Sequence, residues 1–571
     1  MARAAQADRR GTRPHRRAAR ALRELLRLLP IYGGEQAARK ARLLRELGAL
    51  RFDTAGQLVA LQRAVCFLSA FPDDAGVHRA TRALAEGFAA RVRRLPKAQR
   101  ESLDDSGMAG TCTRHVYAAT AARWMRQRFG AAVDIDWRAE TAADAVAALV
   151  APLLDPLEAE AADLSSAGLR RWLGVARGVS ADNDLGWLLA QAGAGRARQS
   201  FDRAFDAAEV PLAWRLDDRA GISGNALRVP IVHRQAGLRR ASADARAAVL
   251  EPMQPRLLSR REAARLLDVW RAALWSRTRT VFQIEQPNLD ECWLADLGSG
   301  LQFAAIGVAP ERRGALEATY GHLLLANGLP IGYGGFTALF AQVNTGINVF
   351  PEYRGSEAAF AFEQALRAMH VLTGNARFIV NPYQFGAGND EALASGAYWF
   401  YFRLGFRSAR PEVRALAEGE FARLRADRGY RVPTATLRKL AACDLYLDLA
   451  GDAAERLFDE AWLPPLAEGV AAAIAREGVA NRAQALRKLT QRIAAALGIG
   501  LARWSAVERR GLALFAPILA QIGDLDAWPK AEREALAETI RARWAPQERG
   551  FVARMGAHDR LRLALALSAR R

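Results

Sequence analysis

The chain has few of the residues and patterns that identify a function most directly. Its 571 residues include only four cysteines, which lie far apart and form no C-x-x-C pair. This usage argues against a disulfide-rich secreted domain and predicts reduced thiols. No apolar run approaches the ~20 residues needed to span a bilayer, and the amphipathic pattern after Arg9-Arg10 is unlike the apolar core of a signal peptide. We therefore expect a cytoplasmic protein.

Several common catalytic motifs are also missing. Cys112 and His115 form a C-x-x-H, but no second pair stands at metal spacing, so no metal site is expected. The seven histidines provide no H-E-x-x-H, and the chain has neither a P-loop Gly-Lys-Ser/Thr nor a G-x-S-x-G elbow. The sequence therefore gives no support to a zinc protease, a P-loop nucleotidase or an α/β-hydrolase.

Lysine is scarce, whereas arginine is abundant. Only five of the 81 basic residues are Lys, and the net charge is +20. This skew can reflect the coding composition of the source as easily as selection for a polyanion. The charge is uneven, since residues 1–50 carry 13 basic and 4 acidic side chains whereas residues 301–410 carry 8 and 7. Residues 1–20 are interpreted as a basic flexible arm, either a solvated tail or a contact for nucleic acid.

The spacing of apolar residues divides the rest of the chain into three regions. Residues 21–250 are predicted to be mainly helical, with strand-like stretches at 133–137 and 211–216. A further extended run at 226–232 contains Pro230, which makes it an edge or irregular strand. Residues 251–410 begin with a helix at 259–276 that has a capping box, and the rest of this region is predicted to alternate between strands and helices. Residues 411–571 return to amphipathic helices.

The region 300–410 carries the clearest local signals. Asn327-Gly328 between two apolar runs predicts a β-hairpin with a type I′ turn. A strand at 346–350, a helix at 356–372, a strand at 377–380 and a helix at 389–405 follow, the last ending at a glycine. On the first helix, Ala359, Phe362, Leu366 and Met369 share one face and are expected to pack on the sheet.

Two segments within this region form a recognisable pair. Residues 348–360 read as a strand, a Pro-bearing exit, an Arg-Gly turn and the first turn of a helix, whose free amides suit an anion such as a pyrophosphate. Residues 401–406, Tyr-Phe-Arg-Leu-Gly-Phe, close a second helix. With the hairpin before them, these segments resemble the core of the GNAT acyltransferase superfamily over about a fifth of the chain.

The resemblance implies an α/β (α+β) fold, with a GNAT-like mixed sheet core embedded between large, mainly α-helical regions. It implies that the strand at 346–350 splays from the strand at 377–380 and that the pantetheine arm of acyl-CoA (acetyl-CoA) enters the space between them. The implied CoA-binding residues are Val349, Phe350, Arg354, Gly355, Ser356, Glu357, Ala358 and Ala359. Two positions depart from the family pattern, because Glu357 replaces its central glycine and Ala394 replaces a frequent asparagine.

The resemblance also implies catalytic residues. Tyr401 matches the phenol that protonates the departing thiolate, and Tyr398, one turn earlier, is the alternative. Both residues are equally consistent with an aromatic packing face. A general base for the attacking amine is sought first in Glu391, with Asp390, Glu352, Glu357 or a water chain as alternatives. Asn348 and Asn381 could orient the substrate.

Three functions remain open at this stage. The first is acyl transfer from acyl-CoA to the amine of a small molecule or peptide by direct attack. The second is a GNAT-shaped binding or scaffold protein that has lost acyl-CoA chemistry. The glutamate at position 357, in place of the family's glycine, would indicate this loss. The third is a transferase that uses aminoacyl-tRNA, as in the Fem family, for which a basic N-terminal region would be suited.

Overall fold

The computed structural model describes residues 17–179, 183–451 and 457–570. Most of the predicted basic arm, residues 1–16, therefore lies outside the described residues, and residues 17–28 already form a helix, α1. No helix in the described ranges is both long and apolar enough to cross a membrane. The chain is a mixed α/β protein, as the spacing of its apolar residues predicts.

The N-terminal region is mainly helical and contains one small sheet. Helix α3 shows how its helices form, because the Thr54 side chain accepts the Gln57 amide at its start and Leu58, Leu61 and Val65 are fully buried. The sheet is antiparallel, in the order β1-β3-β2. The elements are α2 Gly34–Ala49, α3 Ala55–Ala70, α4 Ala75–Ala85, α5 Phe88–Arg93, α6 Lys97–Glu101, β1 Cys112–Val116, α7 Ala119–Phe129, β2 Val133–Ile135, α8 Ala142–Val150, α9 Pro156–Ala161, α10 Ser166–Arg177, α11 Asp184–Ala190, α12 Gly195–Ala208 and β3 Pro211–Arg215.

The prediction of an edge or irregular strand at 226–232 is wrong, because these residues form no strand. This segment has no regular structure and runs beside the turn of the later hairpin, where the Leu227 amide donates to the Gly328 carbonyl at 2.9 Å. The Val232 amide donates to Asn327 Oδ1 at 2.8 Å. Because Pro230 has no amide hydrogen, the segment cannot supply a complete strand ladder.

The central region is built on a ten-stranded mixed sheet in the order β12-β13-β11-β9-β8-β7-β6-β5-β4, with β10 also paired to β8. The β9–β11 pair is parallel, and the other pairs are antiparallel. The elements are α13 Ala245–Leu250, β4 Arg256–Leu257, α14 Arg260–Trp275, α15 Phe282–Glu285, β5 Pro287–Gly298, β6 Leu301–Val308, β7 Ala318–Ala326, β8 Leu329–Leu339, β9 Gln342–Thr345, β10 Asn348–Val349, α16 Ala358–Thr373, β11 Arg377–Val380, α17 Asp390–Ser395, α18 Ala397–Arg403 and β12 Arg407–Ser408.

Several local predictions in this region are confirmed. Asn327 and Gly328 both have positive φ, 47° and 80°, as a type I′ turn between β7 and β8 requires. Helix α14 begins with the predicted capping box at Ser259. Phe362, Leu366 and Met369 of α16 are buried. The predicted helix at 389–405 is instead two helices, because Gly396 adopts a left-handed conformation between α17 and α18.

The region after residue 410 is not purely helical. Its strand β13 inserts antiparallel between β11 and β12, so the expectation of helices alone is wrong there. The buried charges Glu291, Arg313, Arg543 and Glu548 join the last helices to the sheet. The elements are α19 Pro411–Ala426, α20 Thr434–Leu440, β13 Leu445–Asp448, α21 Leu463–Ala475, α22 Arg482–Leu497, α23 Ala506–Leu519, α24 Lys530–Ala542, α25 Arg549–Gly556 and α26 Asp559–Ala569.

Candidate functional site

The parallel strands β9 and β11 pair over a short distance and then diverge. They are in register at Val343–Phe378 and at Asn344–Ile379. After Gly346 the chain continues as β10, which pairs with β8 and with no other described strand. The edge of β10 that faces away from β8 therefore has no strand partner among the described residues. We call the space between β10 and the end of β11 the strand gap.

Two side chains reach the main chain at the strand gap. Gln384, in the 3₁₀ turn Pro382–Phe385 after β11, lies so close to Gly346 that a Cβ on this glycine would be 2.5 Å from the Gln384 Cδ. The Tyr401 hydroxyl accepts the Ile347 amide hydrogen at 3.3 Å. The amide that leaves the β9–β11 ladder is thus bound by a side chain, as a buried donor requires.

Tyr401 keeps its phenolic proton because it is buried. Its side chain is 1% exposed and packs among Phe362, Phe385 and Phe406. Burial raises the pKa of this hydroxyl well above its usual value, so the group is neutral near pH 7. A neutral phenol beside a strand edge can donate a proton to a group in the strand gap.

Tyr398 occupies a different environment. Its hydroxyl is buried and has no hydrogen-bond partner among the described residues. Burial raises its pKa to about 12. The ring packs edge-on against Phe385 and stacks on Phe402. Of the two predicted tyrosines, Tyr401 is the one that hydrogen-bonds to the diverging strand.

The turn between β10 and α16 places the predicted CoA-binding residues in one short segment. Val349 pairs with Gly332, and Phe350 is buried beneath the Arg277 guanidinium at 4.0 Å. Gly355 has φ +82°, a conformation that favours glycine. Helix α16 then begins at Ala358, and no side chain caps its first amides. The amides of Ala358 and Ala359 belong to the unpaired group at a helix N-terminus.

The Glu357 side chain does not cap those amides. Arg234 Nη1 and Nη2 donate to its two carboxylate oxygens at 2.7 and 2.6 Å, and the Arg239 amide donates at 2.6 Å. The Arg239 guanidinium lies over the Phe360 ring at 3.9 Å. The like-charge conflict expected for a glutamate at this position is therefore absent, because the carboxylate is neutralised within a buried ion pair.

Arg354 and Glu391 lie together at the mouth of the strand gap. Arg354 follows β10 and Glu391 follows β11, and their side chains meet at 2.5 Å. Arg279 lies 3.8 Å from the same carboxylate. The hydrogen bond from Arg354 lowers the pKa of Glu391, which makes it a weaker base than an isolated glutamate. We call this contact the Arg354–Glu391 pair.

Several polar atoms near the site are buried without a hydrogen-bond partner in the described chain. Among them are Ser356 Oγ, just before α16, and Asn381 Oδ1, just after β11. Unpaired buried polar atoms are rare in folded proteins, and a ligand is one explanation of them.

Sequence reasoning missed Gln384, Arg234, Arg239 and Arg277. A polar residue after a strand end is a usable signal for Gln384. The three arginines come from a segment without regular structure and from the residues after α14, so only the tertiary fold brings them to this turn.

A scan against protein-family models, a search of curated proteins and a search of solved structures each found no match to this chain.

Proposed function

We propose that the chain is an acyltransferase that moves an acyl group from acyl-CoA to an amine. The strand gap supports this proposal most directly, because an extended pantetheine arm can hydrogen-bond to an open strand edge as an added strand does. The observation that carries the proposal is the position of the Tyr401 hydroxyl at the Ile347 amide, within the strand gap.

The residues around the strand gap have distinct proposed roles. The amides of Ala358 and Ala359 would bind the pyrophosphate, assisted by the helix dipole of α16. Ser356 Oγ, which is buried and unpaired, would donate to a phosphate oxygen. Arg354 would exchange its contact with Glu391 for the phosphates, since both partners are anionic.

The proposed chemistry is direct aminolysis. The amine nitrogen attacks the thioester carbonyl, the C–S bond breaks, and the departing thiolate takes the Tyr401 proton. The attacking amine must arrive neutral, and its nitrogen loses one proton to water as the amide forms, because Glu391 is held by Arg354 and is a weaker base than an isolated glutamate. Solvent then returns a proton to the Tyr401 oxygen. Asn381 Oδ1, an acceptor without a partner, would orient the amine hydrogens.

A second function is favoured by two contacts. Gln384 fills part of the strand gap, and the Arg354–Glu391 pair spans its mouth. Both contacts suit a binding or scaffold protein that has lost acyl-CoA chemistry. In an acyltransferase, both must move when the substrate enters.

The two functions are separated by a thermal-shift titration with CoA and acetyl-CoA. A ligand that binds the folded state raises the melting temperature by an amount set by its concentration over Kd. The critical variant is Ala358→Asp, because a carboxylate in the first turn suits the helix but repels a pyrophosphate. Ala358→Asn is its uncharged control.

We expect both ligands to stabilise the wild type and Ala358→Asn, and Ala358→Asp to bind about tenfold more weakly or worse. Tyr401→Phe should retain binding while turnover falls by about 10²–10⁴-fold. No response to either ligand leaves the scaffold function. RNA binding with a steep salt dependence would instead point to an aminoacyl-tRNA donor.

A further inference from the structure

The side chain of Gln384 lies against the segment that joins β9 to β10, next to the proposed reaction centre. A Cβ on Gly346 would be 2.5 Å from Gln384 Cδ, 2.6 Å from its Oε1 and 2.9 Å from its Cγ. The following residue, Ile347, is the one whose amide donates to the Tyr401 hydroxyl. The Gln384 carboxamide and the Tyr401 hydroxyl therefore lie against neighbouring residues of one segment.

The proposed positions of the donor's two ends determine the direction of its acyl group. The pyrophosphate is assigned to the first amides of α16 and the departing sulfur to Tyr401, and β10 lies between these two positions in the chain. An extended pantetheine arm that joins them runs antiparallel to β10. The acyl group at its end therefore points past the start of β10, towards Gly346 and Gln384.

The strand gap is closed a short distance beyond Gln384. Strands β9 and β11 are in register at Asn344 and Ile379. Paired strands lie about 4.8 Å apart and leave no space for an acyl chain between them. Asn344 precedes Gly346 by two residues, which is about 7 Å along a strand. The acyl group thus has little room in this direction, and Gln384 occupies the first part of it.

The main chain of the turn that carries Gln384 is held in place. The adjacent Phe385 is 1% exposed, and its ring packs edge-on against the Tyr401 ring with the centroids 6.2 Å apart. The Gly386 amide donates to the Pro382 carbonyl at 3.0 Å. Movement at this point therefore falls mainly to the side chain of Gln384.

The Gln384 carboxamide can leave the strand gap without breaking a hydrogen bond to the protein. Its oxygen and nitrogen form no hydrogen bond with any described residue, although a carboxamide has two donors and one acceptor. The residue is half-buried, so its amide can reach solvent. An entering substrate thus displaces this group at little cost.

The carboxamide also has the shape of an acetyl group. Both are planar and consist of a carbonyl carbon, its oxygen and one further heavy atom, which is the nitrogen in the carboxamide and the methyl carbon in the acetyl group. The two groups fill nearly the same volume. The space that the Gln384 carboxamide occupies beside Gly346 is therefore the size of an acetyl group.

We infer that Gln384 restricts the donor to a short acyl group, of which acetyl fits best. As acetyl-CoA enters, the carboxamide swings towards solvent and the acetyl group takes its place. The methylene groups of Gln384 and the paired strands β9 and β11 block a longer chain. This inference rests on the proposed function, because it concerns the acyl donor of that same reaction.

The test is calorimetric titration of the full chain with CoA, acetyl-CoA and hexanoyl-CoA. We expect the wild type to bind hexanoyl-CoA about tenfold or more weakly than acetyl-CoA, because the extra methylene groups enter an occupied space. Gln384→Ala removes the block and should bind hexanoyl-CoA at least as tightly as acetyl-CoA, because more apolar surface is then buried. Gln484→Ala, at an exposed glutamine of α22, is the matched control and should keep the preference of the wild type.

Two further variants separate size from polarity. Gln384→Met lacks the amide but has a similar length and bulk, so it should still bind hexanoyl-CoA about tenfold more weakly than acetyl-CoA. Gly346→Ala acts from the other side, because its Cβ would fill part of the same space. It should weaken the binding of acetyl-CoA by about fivefold or more relative to CoA, which has no acyl group. This variant keeps the inference testable if Gln384→Ala does not fold.

The inference and the proposed function fail in different ways. Equal or tighter binding of hexanoyl-CoA by the wild type would overturn the inference and leave the proposed function intact. A folded Gln384→Ala variant that keeps the wild-type preference, or a Gly346→Ala variant that binds acetyl-CoA and CoA as the wild type does, would have the same meaning. Binding of neither CoA nor either thioester would refute the proposed function, and this inference with it.

Discussion

The buried ion pair between Glu357 and Arg234 provides the sharpest test of how the turn before α16 is built. Both partners are almost fully buried, with side chains 0% and 6% exposed, and two hydrogen bonds join them. The Arg234 amide also donates to the Pro72 carbonyl at 2.8 Å, so the pair fastens the N-terminal helices to the turn. Glu357→Gln removes the negative charge and keeps the shape.

The magnitude follows from the charge that is left behind. Breaking a buried pair by removing one partner costs about 3–5 kcal/mol, because the other charge stays buried without compensation. At about 1–2 °C per kcal/mol for a cooperative unit of about 300–570 residues, the melting temperature should fall by about 3–10 °C. The double variant Glu357→Met/Arg234→Met should recover much of this loss, since neither charge remains, although the Arg239 amide then lacks its acceptor.

The assay is differential scanning calorimetry of Glu357→Gln, of the single variants Glu357→Met and Arg234→Met, and of the double variant that combines these two. Glu86→Gln is the control, because its partner Arg82 and Glu86 itself are 72% and 68% exposed and such a pair contributes about 0–1 kcal/mol. A melting temperature of Glu357→Gln within about 2 °C of that of the wild type would refute the reasoning. So would a double variant as unstable as the sum of the singles. Tighter CoA binding by Glu357→Gln would show that this carboxylate obstructs the site after all.

Three further predictions concern other parts of the sheet. Glu391→Gln should strengthen CoA binding by about two- to fivefold, because an exposed Arg354–Glu391 pair is worth about 0.5–1 kcal/mol, and equal affinities in a thermal-shift titration would contradict this. His322 is fully buried, and burial lowers its pKa to about 3, so its neutral form stabilises the fold. This contribution is present above pH 6.5 and should be lost by about 1.4 kcal/mol per pH unit as pH falls from 6.5 towards 3. His322→Leu should flatten the pH dependence of the melting temperature, and an unchanged slope would be evidence against the assignment. Gly307→Ala should be strongly destabilising in calorimetry, because its Cβ would lie 2.5 Å from Glu291 Oε2 inside a buried charge cluster; a wild-type melting temperature would contradict this.

Local chemistry determined which parts of the fold could be predicted from the sequence. The Asn327-Gly328 turn and the strand Arg377–Val380 depend on residues close together in the chain, and the structure has both. Strand β13 could not be foreseen, because its partners β11 and β12 lie elsewhere in the chain and the short run Leu-Tyr-Leu-Asp cannot be distinguished from a helical segment by its periodicity. The break at Gly396 was missed because an isolated glycine is tolerated within a helix.

The candidate site, too, could be predicted only where it depends on residues that are close together in the chain. The strand–turn–helix pattern predicted that a helix begins shortly after Arg354, and α16 does begin at Ala358, whereas Tyr401 was named only through the family resemblance of residues 401–406. It could not predict that Glu357 turns towards Arg234, which lies 123 residues earlier in the chain.

The charge cluster between the sheet and the last helices constrains how this chain can be divided. Glu291 of β5 accepts the Glu548 amide at 2.6 Å, and Arg313 donates to the Arg543 carbonyl at 3.0 Å. A fragment that ended before residue 540 would leave Glu291 and Arg313 facing each other in the interior without the groups that solvate them. The sheet and the C-terminal helices therefore share one buried charge cluster, and a fragment of the central region alone should be less stable than the full chain.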